Sequence, residues 1–140
     1  MRLDDPARDG IALDLAQIAC EAADLLRGFD CAATAHHLKG DGSPTTQADL
    51  AAERLIIDRL ARRFPDVPAV AEETANAAVP GDLFFLVDPL DGTRDFLNGS
   101  PEWTVNIALV DGDRVVAGAM HAPRLGRLFV GGRSAWEVAV

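Results

Sequence analysis

Asp88 and Asp91 stand three residues apart at the end of the apolar run Leu83-Phe84-Phe85-Leu86-Val87, with Gly92-Thr93 immediately behind them. Carboxylates and backbone carbonyls are the ligands a hard cation such as Mg²⁺ accepts, and a cation held there could face an anionic ligand. On a continuous strand, side chains three apart point to opposite faces, so the two carboxylates need a break in the strand to share a site. Pro89 donates no hydrogen bond and is expected to end the ladder there, turning Asp88, Asp91 and the Leu90 carbonyl toward one cation. Thr93 is expected to cap a helix over 94–98, Gly92 to let the backbone approach a ligand closely, and the free N–H groups at that helix start to attract phosphate. Taken alone, the same residues also fit an Asp-rich capped turn that binds no cation.

The elements around this stretch can be predicted from periodicity. Residues 1–9 read as a loose leader. Ile11, Leu15, Ile18, Ala22, Leu25 and Phe29 recur every three or four positions, which predicts a helix ending near Gly28. The segment 30–45 reads as a loop with Gly40, Gly42 and Pro44 as turn residues, and His36 and His37 as ordinary loop histidines without a third ligand. Thr46 opens a second helix with Asp49 three residues on, in a near capping box. Ile56, Leu60 and Phe64 form its buried face, Leu50 and Ile57 flank it, and Pro65 stops it. Arg54, Arg59, Arg62 and Arg63 are expected on a solvated face. A short strand, paired from Ala69 onward, delivers Glu72 and Glu73, of which only one can enter a site because strand neighbours face opposite ways. After a turn at Asn98-Gly99-Ser100-Pro101, the runs 105–110, 115–121 and 128–130 predict an antiparallel meander. Trp103 and Trp136 are expected as core or rim anchors, and His121 as structural.

Three stretches in one order carry a resemblance. They are Lys39-Gly40-Asp41-Gly42-Ser43-Pro44-Thr45-Thr46-Gln47-Ala48-Asp49, then Glu72-Glu73, then Asp88-Pro89-Leu90-Asp91-Gly92-Thr93. Together they resemble the inositol monophosphatase superfamily of Mg²⁺-dependent, lithium-sensitive phosphatases. Ser43-Pro44, Arg94-Asp95-Phe96 and Thr104-Val105-Asn106-Ile107-Ala108-Leu109 point to its 3′(2′),5′-bisphosphate nucleotidase branch. Ala71 departs from that branch, which tends to carry Ser there.

The resemblance implies an α+β fold, with two N-terminal helices packed on a mainly antiparallel sheet. This would be the first domain of the sugar-phosphatase-like layered fold, spanning 1–140 without the second domain. It implies one Mg²⁺ held by Glu72, Asp88 and the Leu90 carbonyl, and a second near Asp88 and Asp91. It further implies that Thr93, bonded to Asp49, orients or deprotonates the attacking water, with Glu72 also in the catalytic set. Lys39, Gly92 and Thr93 would face the substrate. The substrate expected first is adenosine 3′,5′-bisphosphate, then an inositol phosphate. Family members carry a further Trp-Asp motif in the second domain, and Trp136-Glu137 does not replace it. The alternatives are therefore a chain completed by a second copy or a separate C-terminal half, and a non-catalytic remnant that binds a cation or a partner.

Composition narrows the classes further. The chain has 140 residues, 49% hydrophobic and 25% charged, as expected of one globular domain with a sizeable core. A net charge of −9 leaves no basic stripe to replace the counterions of nucleic acid or an anionic membrane. No apolar run is long enough to span a bilayer, and Met1-Arg2-Leu3-Asp4-Asp5-Pro6 lacks the basic-then-apolar order of an export signal. Cys20 and Cys31 form no metal-type spacing, so reduced thiols in the cytoplasm are expected.

Overall fold

The computed structural model describes residues 4–29, 36–38, 44–71 and 82–140. Helices α1 (Asp5–Arg27) and α2 (Gln47–Arg63) lie side by side on one face of a six-stranded sheet, as the α+β expectation required. The strands are β3 (Ala69–Ala71), β4 (Leu83–Asp91), β5 (Thr104–Asp111), β6 (Arg114–Ala122), β7 (Arg127–Gly131) and β8 (Ala135–Ala139), in that spatial order. Among the described strands only the β3–β4 pair is parallel. A separate two-stranded ribbon joins β1 (His36–Leu38) to β2 (Pro44–Thr46), and a short helix α3 (Thr93–Leu97) follows β4. No helix among the described residues is long and apolar enough to cross a membrane.

The core follows from the two periodicities. Val105, Ile107 and Leu109 alternate on one face of β5 and are buried with Phe85 and Val87 of β4. From the helices come Leu15, Ile18, Leu26, Ile56 and Leu60, all essentially inaccessible. Full burial of each such side chain stabilises the fold by about 1.5–3 kcal/mol. Under α1 the packing is of small residues on small residues. Ala12, Ala16, Ala19 and Ala23 of the helix face a strand, β6, whose inward positions include Ala117 and Ala119. This lets the helix axis approach the sheet closely. Leu26 takes the buried place expected for Leu25, which packs only at the edge of the core.

Three expectations about elements need correction. The leader over 1–9 is helix from Asp5: Asp4 accepts from the Ala7 amide at 3.0 Å, and Pro6 sits in the first turn, where its missing N–H costs nothing. This turn is also tied to the far side of the sheet. Arg8 donates to the Val116 carbonyl at 2.9 Å and the Gly132 carbonyl at 3.2 Å, and the Ser134 amide donates to Asp9 at 2.9 Å. The loop expected over 30–45 contains the ribbon, so the backbones of His36 and His37 lie in a strand; the rest of that segment, with Lys39 and Cys31, is outside the described residues. Finally, Arg59 and Arg63 are half-exposed but not merely solvated. They reach Glu21 at 3.1 Å and Asp14 at 2.8 Å on α1 and so bridge the two helices.

His121, on β6 between Val105 and Leu128, is only 2% exposed. Neither ring nitrogen has a hydrogen-bond partner among the described residues. Burial holds its pKa below the usual 6.5; the nearby Ala19 carbonyl and Asp24 pull upward, and Arg27 adds to the lowering. Below about pH 6.5 the unfolded chain therefore takes up a proton that the folded chain refuses. Stability falls as pH drops through that value toward the folded-state pKa. Urea midpoints measured from about pH 7.5 to about pH 5.5 should fall more steeply for the native chain than for His121→Leu, in which this linkage is absent.

Candidate active site

The end of β4 is where the chemistry-bearing residues gather, and a change of register makes this so. Asp88 pairs with Asn106 and Asp91 with Thr104, so three steps along β4 span two along β5. One extra residue is accommodated between the carboxylates as a bulge. Asn106 and Thr104 share a face, and the Asn106 amide donates to the Thr104 hydroxyl at 2.8 Å. By register, Asp88 and Asp91 stand on that same face. The expectation that Pro89 ends the ladder is thus corrected: β4 runs through Pro89 to Asp91. Proline, having no N–H to offer, sits at the irregular step where no regular pairing is made.

The turn that follows also differs from expectation. Thr93 is the first residue of α3 and caps nothing; the cap position is Gly92, in the left-handed conformation at φ +89°. A Cβ at Gly92 would lie 2.7 Å from the Glu102 carbonyl oxygen and 3.3 Å from Trp103 Cα. The glycine is therefore required by the protein's own backbone crossing at this point. Beneath it, Phe96 meets Trp103 edge to face with centroids 5.2 Å apart, and both are buried, which confirms Trp103 as a core anchor. Trp136 lies at the rim on β8, 39% exposed.

Released from capping, the Thr93 hydroxyl lies 3.0 Å from Asp49 Oδ1 and 3.3 Å from the Leu90 carbonyl oxygen. It has one proton, and the nearer, charged acceptor is the stronger claimant. Asp49 comes from the first turn of α2 and is completely buried. Its other oxygen, Oδ2, accepts from the Thr46 amide at 3.1 Å and from the Thr46 hydroxyl, while the Asp49 amide donates to Thr46 Oγ1 at 3.1 Å. The near capping box is a complete one. Three donors thus meet one buried carboxyl group, in place of the water that burial removed.

The structure therefore brings Asp49 and Thr93 into contact, aligns Asp88 with Asp91, and joins the two groups through the Leu90 carbonyl. Glu72, Glu73 and Lys39 lie outside the described residues. Among the described residues, no three His, Cys, Asp or Glu side chains converge on one point. Asp88 Oδ1 is buried, and with the Asp91 carboxylate and the Leu90 carbonyl it offers oxygen donors only, which fits Mg²⁺ in kind. Two polar features escaped the sequence reading. Thr46 was seen as a helix start, yet its hydroxyl is wholly buried on Asp49, and Glu53, one turn further along α2, is 3% exposed. The spacing Thr46-x-x-Asp49 signals the cap; nothing in it signals that the same carboxylate also serves Thr93.

Among the described residues nothing covers the outer face of the sheet. Leu86, Ala108, Met120 and Phe129 line an open apolar groove of about 570 Å³ with Asp88 and Asn106 at its edge. Cys20, on α1, is a free thiol whose pKa is raised, first by burial and then by Asp24, which makes it a poor nucleophile.

The inositol monophosphatase family model matches residues 8–136. The 3′(2′),5′-bisphosphate nucleotidase CysQ of Escherichia coli K12 is 44% identical over 92 residues, covering 61% of this chain and 36% of that protein. The Salmonella typhimurium protein of the same name is 39% identical over 114 residues, covering 78% and 46%. Among solved structures, the extragenic suppressor protein SuhB of Bartonella henselae superposes with a TM-score of 0.81 at 31% identity, over 92% of this chain and 51% of that one. CysQ of Bacteroides thetaiotaomicron gives 0.75 at 27%, over 94% and 50%. The chain thus spans between about a third and a half of the length of these relatives.

Replacement of Gly92 by Ala should be costly, since both the left-handed backbone and the Glu102 carbonyl resist a Cβ. Urea denaturation of Gly92→Ala should show a loss of about 2–3 kcal/mol.

Proposed function

This chain belongs to the inositol monophosphatase family, and from that premise we propose that it is the metal-binding half of a Mg²⁺-dependent phosphatase acting on a small phosphate monoester. The substrate we favour is a nucleotide bisphosphate such as adenosine 3′,5′-bisphosphate, because the curated relatives quoted above are 3′(2′),5′-bisphosphate nucleotidases. An inositol phosphate is the second choice. The observation that supports the reading most is the Thr93 hydroxyl set on the buried Asp49 carboxylate at the end of β4, beside Asp88 and Asp91.

In this reading Glu72, Asp88 and the Leu90 carbonyl would hold one Mg²⁺, and Asp88 and Asp91 a second. The cation, when bound, supplies charge stabilisation for the phosphoryl group and a more acidic water. Thr93 orients the attacking water, and Asp49 holds the threonine in place. A role for Gly92 and Lys39 in substrate binding rests on the family resemblance alone. No covalent intermediate is needed, since positioning and charge stabilisation carry phosphoryl transfer.

The bare outer face supports a second element of the proposal. Apolar side chains such as Leu86 and Met120, 49% and 44% exposed, form part of a surface of the kind that marks an interaction site. We read it as the seat of what completes the site, either the remaining part of the family's length or a second copy of this chain. The chain would then work in the cytoplasm as part of an assembly.

Two measurements test this. Phosphate release from adenosine 3′,5′-bisphosphate and inositol 1-phosphate should require Mg²⁺, favour the nucleotide, and fall by about 100-fold or more in Asp91→Asn and in Thr93→Val. Release equal in native and variant chains would refute the phosphatase reading. In sedimentation experiments the native chain alone should gain mass with concentration, and Leu86→Lys/Met120→Lys should remain monomeric; a native chain monomeric throughout would exclude the second copy as the partner.

A further inference from the structure

We infer that Thr46 is a positioning residue for the Thr93 hydroxyl, acting through the carboxylate of Asp49; this rests on the role proposed above for Thr93. A helix-capping threonine ordinarily sits at the surface and serves its own helix, contributing about 1 kcal/mol. Thr46 is 1% exposed, and its partner Asp49 is not exposed at all. The cap is buried beneath the site.

Counting protons shows what it does there. Thr46 Oγ1 accepts the Asp49 amide proton at 3.1 Å, so its own proton is free to go to Asp49 Oδ2, with which it is in contact. The Thr46 amide donates to the same oxygen at 3.1 Å. Two donors from one residue thus hold Oδ2, and rotation of the carboxylate would break both. Oδ1 is left facing Thr93 at 3.0 Å. The Thr93 proton is thereby drawn inward, and the lone pairs of its oxygen turn outward, on the side of the Leu90 carbonyl and the end of β4. A hydroxyl in this state accepts a hydrogen bond from a water or a ligand O–H. Without the Thr46 hydroxyl one of the two donors on Oδ2 is lost, the Asp49 carboxylate is held less firmly, and the Thr93 proton is shared more readily with the Leu90 carbonyl. The direction in which Thr93 presents itself is therefore set two bonds away, by a residue that never meets the substrate.

A double-mutant cycle on the metal-free chain separates this from simple capping. Urea midpoints are measured for the native chain, Thr46→Val, Thr93→Val and the double variant. If Thr46 orients the Asp49–Thr93 bond, that bond is already weakened in Thr46→Val. Thr93→Val should then lower the midpoint by at most half as much as it does in the native background. Thr46→Ser, which keeps the hydroxyl, should restore the full Thr93→Val effect. Equal or larger effects of Thr93→Val in the Thr46→Val background would overturn the inference and leave Thr46 a local cap. Should Thr46→Val not fold, Thr46→Gly replaces it, because glycine is tolerated at a cap and lacks the hydroxyl. The cycle needs neither metal nor substrate. Failure of the phosphatase reading, seen as absent phosphate release, is therefore distinguishable from additivity in the cycle.

Discussion

One residue's worth of slippage between β4 and β5 governs the chemistry of this molecule. Were the ladder regular from Asp88 to Asp91, the period of two would send their side chains to opposite faces. The register shift puts Asp88 opposite Asn106 and Asp91 opposite Thr104, on one face. Proline can occupy the irregular step because no strand hydrogen bond is asked of it. Gly92 then turns left-handed in the only space Glu102 and Trp103 leave, and this places Thr93 at the start of α3 with its hydroxyl toward α2. Bulge and glycine form one local device in which the proline is tolerated, and Gly92 is the member the surrounding backbone demands.

That device works only because α2 arrives at a fixed height. The helix is pinned by Ile56 and Leu60 in the core and by Arg59 and Arg63 across to α1, while its first turn is tied by Thr46 and Asp49. The ion pairs are half-exposed and worth little singly, so burial of the apolar stripe does most of the holding. Its consequence is a carboxyl group carried, already hydrogen-bonded, to the end of β4. The hydrogen bonds from Thr46 and Thr93 offset part of the cost of burying that group, and one of them orders the Thr93 hydroxyl.

Much of this was legible in the residues, and what was not has physical causes. The helices, the meander and the cap at Thr46 follow from period and end signals, which are local. Contacts distant in sequence hid the rest. The start of α1 looked like a leader because Arg8 and Asp9 are polar, yet both are spent on carbonyl and amide groups of the sheet more than 100 residues away. Thr93 looked like a cap because Gly-Thr precedes a helical pattern, but the nearby Asp49 carboxylate competes for its hydroxyl and wins. Pro89 looked like a terminator because proline forbids one hydrogen bond; a bulge dispenses with that bond and the strand continues. Asp88 and Asp91 do share a face, as expected, but through a register shift within the strand and not through its end at Pro89.

Charge decides how such a site can be used. An anionic group approaching the end of β4 meets Asp49, Asp88 and Asp91 on a chain whose net charge is −9. Two like unit charges about 4 Å apart repel by about 4 kcal/mol at the effective dielectric of a protein surface, and three carboxylates compound this. Thr46 and Thr93 meet the buried Asp49 with hydrogen bonds. In the reading proposed above, a multivalent cation between the carboxylates and an anionic ligand would turn this repulsion into attraction. The acidic strand end would then hold the cation, with the Thr93 hydroxyl beside it neutral and directional.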